Sequence, residues 1–156
     1  MEITYEHPGV VSGFQAPVFV CWWRKAPALP FAKEMIDTFV EKATSTPGGI
    51  IFLVITSTEN GIPDRAAADV LTKGTRLAEK HILAHGFVIE GTGIKAGAIR
   101  TSVKTIQSLA RVVFPWTIAS TVDEAALWIT KKTGFISEPE AHALIANIKE
   151  MRASRK

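Results

Sequence analysis

The chain has 156 residues, 47% of them apolar and 21% charged, with a formal net charge of +3. That balance excludes a disordered or collagen-like chain and suits one globular domain, spanning 1–156, with a substantial core. The small positive charge neither demands nor locates a nucleic-acid surface, which needs lysines and arginines clustered on one side.

The first eight residues, Met1 to Pro8, carry no basic leader followed by an apolar stretch and are not expected to be a signal peptide. After Pro8-Gly9, Val10 to Phe14 and Val18 to Trp23 read as two strands split by the turn Gln15-Ala16-Pro17, a hairpin built from β-branched and aromatic residues. A helix is predicted next, with Ala32, Met35, Ile36, Phe39, Val40 and Ala43 on one side, ended by Thr46-Pro47-Gly48-Gly49. Ile50 to Ile55 is apolar on both faces, as a central strand covered by helices should be. It is also the longest apolar run, far too short to cross a bilayer.

A polar loop from Thr56 to Gly61 leads to a second helix lined by Ala67, Val70, Leu71, Gly74, Leu77 and Ala78. Gly74 weakens that helix by about 1 kcal/mol against alanine, which points to a close packing contact. Phe87-Val88-Ile89 is the next strand, and a third helix with Ile99, Val103, Ile106 and Ala110 inside follows Gly91-Thr92-Gly93. Phe114 to Ala119 is the last strand, its proline suiting a strand start or an edge. Thr121-Val122-Asp123-Glu124 and Ser137-Glu138-Pro139-Glu140 both have capping-box spacing. The first opens a fourth helix that stops at Gly134. The second opens an appended helix over 137–156, whose basic tail from Arg152 to Lys156 is expected to fray. Such alternation predicts an α/β fold with a mainly parallel five-stranded sheet, an N-terminal hairpin and flanking helices.

This order resembles the STAS domain, the fold of anti-sigma-factor antagonists and of STAS-like proteins described with SEC14-type lipid binders. The resemblance covers about residues 9 to 133 and rests on the hairpin, the apolar strand with its polar loop, and Thr121 to Leu127. It implies a non-enzymatic regulatory or protein-interaction domain. It also implies a switch loop, here Thr56-Ser57-Thr58, although the family's aspartate-serine signature is absent and Glu59 would repel an added phosphate.

The other motifs carry little chemistry. Gly91-Thr92-Gly93 fits two positions of a dinucleotide loop, but Ala96 takes the third and no ribose-binding carboxylate follows. Gly91, Gly93 and Lys95 remain candidates for an anion site. Arg100, Lys104 and Arg111, spaced four and seven apart, are a candidate interaction face. No aromatic platform is interleaved with them, so no nucleic acid is expected. His81 and His85 are four apart at the end of the second helix but lack a metalloprotease glutamate, so neither a metal nor a cofactor is expected. Cys21, the only cysteine, excludes an internal disulfide and reads as an inert core thiol in a reducing, cytoplasmic setting.

Trp22 and Trp23 point to opposite sides of one strand, so Trp23, Phe31 and Trp116 are candidates for an apolar pocket. The functional expectation is a non-enzymatic interaction domain with a protein partner or self-association. An apolar-ligand or lipid-binding module is the alternative, and a small enzyme the third.

Overall fold

A computed structural model describes residues 1–110 and 112–155, and the side chains of all of these but 106–110. Six strands form one sheet in sequence order: β1 (Glu2–His7), β2 (Val10–Gln15), β3 (Val18–Trp23), β4 (Ile50–Ser57), β5 (Ile82–Glu90) and β6 (Trp116–Ala119). β1, β2 and β3 pair antiparallel, whereas β3 to β6 pair parallel. The sheet is therefore mixed, with one strand more than the five expected. The extra strand is β1, where Ile3 and Tyr5 alternate with exposed Glu2 and Glu6. Tyr5 ties it to the helical layer by donating to Glu34 at 2.7 Å. Burial, then that carboxylate, pushes the phenol up to about 12.

β4 behaves as its sequence demands. Ile51, Leu53 and Ile55 are buried on one face, and Ile50 and Phe52 on the other. Helices α1 (Leu29–Ser45) and α2 (Arg65–Leu77) lie on the second face, where Met35, Ile36, Phe39 and Ala67 join Phe19, Cys21, Trp23 and Phe52. Helices α4 (Val122–Trp128) and α5 (Glu138–Ala153) cover the first, where Ala125, Ile129, Leu144 and Ile148 meet Val20, Leu53 and Val88. The final helix is thus no appendage: without it one face of the central strands would stand in water.

Local chemistry sets the helix ends. Asp64 caps α2 by accepting from the Ala67 amide at 2.8 Å. Thr121 accepts from the Glu124 amide and opens α4, which continues as a π turn over Ile129–Thr133 to Gly134. Ser137 and Glu140 form the full reciprocal box, and the Ser137 hydrogen bonds hold the Glu140 carboxyl below its ordinary range. Helix α3 (Gly93–Ala110) buries Ala96, while Ile99 and Val103 are half-buried. Ile106 and Ala110, expected on its inner side, lie outside the described side chains. Among the described residues no helix is long and apolar enough to cross a membrane.

Two expectations fail for packing reasons. Leu77, placed in the α2 stripe, is 75% exposed. The small residues Ala67, Gly74 and Ala78 bring α2 close to α1, and that rotation turns Leu77 outward. His81 and His85 do not share a helix face, because α2 ends at Leu77, His81 closes a short 3₁₀ turn and β5 begins at Ile82. The pairing available between β4 and β6 outweighs the weak helical preference of Ile82-Leu83-Ala84.

His85 is consequently a core residue, 3% exposed, stacked on Phe52 at 4.7 Å and beside Phe87 and Phe114. Among the described residues neither ring nitrogen has a hydrogen-bond partner. Burial lowers its pKa to about 3. Above pH ~6.5 the ring is neutral in both states; below that the unfolded chain takes up the proton first. The histidine should therefore remove about 1.4 kcal/mol of stability per pH unit down to the folded value. Urea unfolding across this range should show a shallower acid loss in His85→Leu than in the parent.

A methyl group on Gly74 would run into Cγ1 of buried Ile36. Gly74→Ala is expected to destabilise despite its better helix propensity, since overpacking costs about 1–3 kcal/mol. In a double-mutant cycle with Ile36→Ala the combined loss should be smaller than the sum of the single losses.

Candidate functional site

Parallel strands finish at the same edge of a sheet, and loops there are the usual place for ligands in α/β folds. Here β3 ends on Trp22-Trp23 and runs into Arg24, β4 ends on Ser57 and turns through Asn60, and β5 ends on Glu90. The last turn of α5 lies across the same edge and supplies Arg152, with Arg155 just beyond it. Together they enclose an open cleft of about 270 Å³.

The walls are fixed by hydrogen bonds that tie these strand ends and the α5 terminus together. The Asn60 side chain donates to the Trp23 carbonyl at 2.7 Å, and the Ser57 hydroxyl accepts from the Glu59 amide at 3.2 Å. The Thr58 amide donates to the Glu90 carbonyl at 3.0 Å, so the ends of β4 and β5 stay together past the last strand residue. Arg152 grips both carboxylate oxygens of Glu90 with two parallel bonds of 2.7 and 2.8 Å, the strongest ion-pair geometry available to arginine. Its guanidinium also lies 5.1 Å from the centre of the Trp22 ring, and that of Arg24 lies 5.4 Å from it.

Arg24 differs from its neighbours: among the described residues its guanidinium has no carboxylate within ion-pair distance. Arg155 is intermediate. Its Nε lies 3.1 Å from Glu6 but makes no hydrogen bond among the described residues. Three guanidinium groups thus line the cleft with the single carboxylate of Glu90, which leaves the described lining net positive. Among the described residues Ser57 makes no hydrogen bond to a histidine or carboxylate, the arrangement that would activate it as a nucleophile. Among the described residues no three of His, Cys, Asp and Glu converge as metal ligands.

Comparison of the chain with protein-family models, with curated proteins and with solved structures finds no match. The chemistry of this protein therefore has to be read from its own side chains.

Of the three loop hydroxyls singled out in the sequence, Ser57 alone lines the cleft. Thr56 is half-buried, and Thr58 is 8% exposed beneath Gly91. Gly91 has φ +129, and a Cβ there would sit 2.5 Å from the Thr58 hydroxyl, so glycine is required by both backbone and space. Gly93 and Lys95 are exposed. Arg100 is turned inward: its Nη2 donates to the carbonyls of Ile89 at 2.6 Å and Gly91 at 2.8 Å. That removes its charge from the interaction face proposed with Lys104, which is exposed, and with Arg111, which lies outside the described residues.

Trp23, Phe31 and Trp116, candidates for an apolar pocket, are not brought together in one place. Trp23 packs on Phe31 with ring centres 6.0 Å apart, and Phe31 stacks on His7. Trp116 belongs to β6, and both β4 and β5 lie between that strand and β3. Cys21 is buried, which pushes its thiol pKa up.

Sequence reasoning missed Arg24, Asn60, Glu90, Arg152 and Arg155. Their one local signal was the spacing of Arg152 and Arg155, neighbours on a helix surface, which reads equally as a loose basic tail.

The Arg152–Glu90 pair is half-buried, with side-chain exposures of 29% and 31%, so its loss should fall between the surface and buried cases. Arg152→Gln is expected to cost about 1–2 kcal/mol in urea unfolding. Lys33→Ala, which breaks the exposed pair with Asp37, should cost less than about 0.5 kcal/mol in the same assay.

Proposed function

We propose that the protein is a non-enzymatic regulatory or protein-interaction domain of the STAS-like kind, working in a reducing compartment. The observation that carries this reading is the open, net-positive cleft at the strand ends, where Arg24, Arg152 and Trp22 are presented together. Arginine and tryptophan are the residues that most often anchor protein interfaces, and rigid backbone on three sides holds them ready for a partner. The polar groups beside them are already engaged, Ser57 by the Glu59 amide and Glu90 by Arg152. The sequential sheet with its N-terminal hairpin supports the STAS-like comparison.

The apolar-ligand alternative drew its support from the tryptophans, with Phe31, and from the lipid binders described with STAS-like proteins. Trp23 and Phe31 pack on each other while Trp116 lies on β6, and neither the cleft nor the groove between α1 and α2 is lined by these three.

Native mass spectrometry of the protein purified from its own host tests the reading. A stoichiometric protein partner is expected with the parent chain and should be lost from Arg24→Glu, whose circular dichroism and melting should match the parent. A co-purifying lipid in place of a partner, or a partner retained in full by Arg24→Glu, would overturn it.

A further inference from the structure

The cleft already holds one carboxylate. Glu90 lies in the fork of Arg152, and that guanidinium is in turn seated by the Trp22 ring. The protein thereby displays the chemistry its own arginines accept at this spot: a planar, singly charged oxyanion bound side-on.

One group beside that pair remains unspent. Arg24 is over the same indole with no acidic partner among the described residues. Arg155 lines the same cleft but is taken up by Glu6, 3.1 Å from its Nε, and by the Met151 carbonyl and Ser154 hydroxyl on its Nη1. Charge favours an anion here: Arg24, Arg152 and Arg155 line the cleft against the single carboxylate of Glu90. A planar carboxylate matches the one anion the cleft already holds.

We propose that the cleft binds a carboxylate side chain on an acidic segment of a protein partner, with Arg24 as its receptor and the Arg152–Glu90 pair as the fixed support. This rests on reading the cleft as a recognition site, and it adds the chemistry of what is recognised.

The probe is a capped tetraglutamate peptide, with capped tetraglutamine and inorganic phosphate as comparisons. Binding is followed by NMR shifts of the Trp22 indole N–H and the arginine Nε–H signals. Tetraglutamate should shift these signals in the parent chain, and tetraglutamine should not. Affinity should fall about tenfold in Arg24→Gln, and again between 50 and 500 mM salt, as expected for charge-assisted contacts. Lys131→Gln with Lys132→Gln, exposed and remote from the cleft lining, should leave affinity unchanged and so control for general basicity.

Phosphate binding in preference to tetraglutamate would overturn the carboxylate assignment while leaving a recognition site. Loss of the shifts in the Lys131/Lys132 variant, or no shift at millimolar tetraglutamate, would overturn the site itself. Tetraglutamate binding with no protein partner found in the host would count against the interaction-domain reading alone.

Discussion

Ile50 to Ile55 offers water nothing on either face, and the rest of the architecture follows from covering it. A strand of this kind needs a layer of helices above and below, with strands hydrogen-bonded on both sides. α1 and α2 supply one layer and α4 and α5 the other, while β3 and β5 run parallel to β4 and saturate its backbone. Parallel pairing has a geometric by-product: three strand ends open on the same edge. Helix α5, which with α4 covers the face of Ile51, Leu53 and Ile55, also ends there, so the element that buries that face also completes the cleft.

The electrostatics of that edge depend on which cations the fold has already committed. Arg100 is spent on the carbonyls of Ile89 and Gly91, holding the turn after β5 against the strand. Arg152 is spent on Glu90. What distinguishes Arg24 is its position one residue past β3, where the indole of Trp22 gives it an apolar rest but no counter-charge. Counting basic residues along the chain would rank Arg100 and Lys104 above it, and the hydrogen bonds reverse that order.

Much of the fold was legible because its signals were local. The hairpin, the two-sided strand, the small-residue contact at Gly74 and the caps at Thr121 and Ser137 each need only a few neighbouring residues to be read. β1 escaped notice because its glutamates interrupt the apolar pattern, and the first half of β5 because Ile82-Leu83-Ala84 prefers no single structure. The cleft was illegible for a different reason. Its residues come from four segments between Trp22 and Arg155, and nothing in Arg152 to Lys156 announces that a strand end lies beneath it. Trp116 shows the converse: an aromatic assigned to a shared pocket belongs to a different strand edge altogether.

The two borders of the sheet bear on how molecules of this protein meet one another. β6 has only four residues, and β1 is broken in register between Ile3 and Tyr5 and carries exposed acids along it. Short, irregular or charged borders are poor templates for adding another chain's backbone. Fibril-like growth by strand addition is thereby discouraged at both ends, and copies of the protein can crowd together at high concentration without zipping into a continuous ribbon.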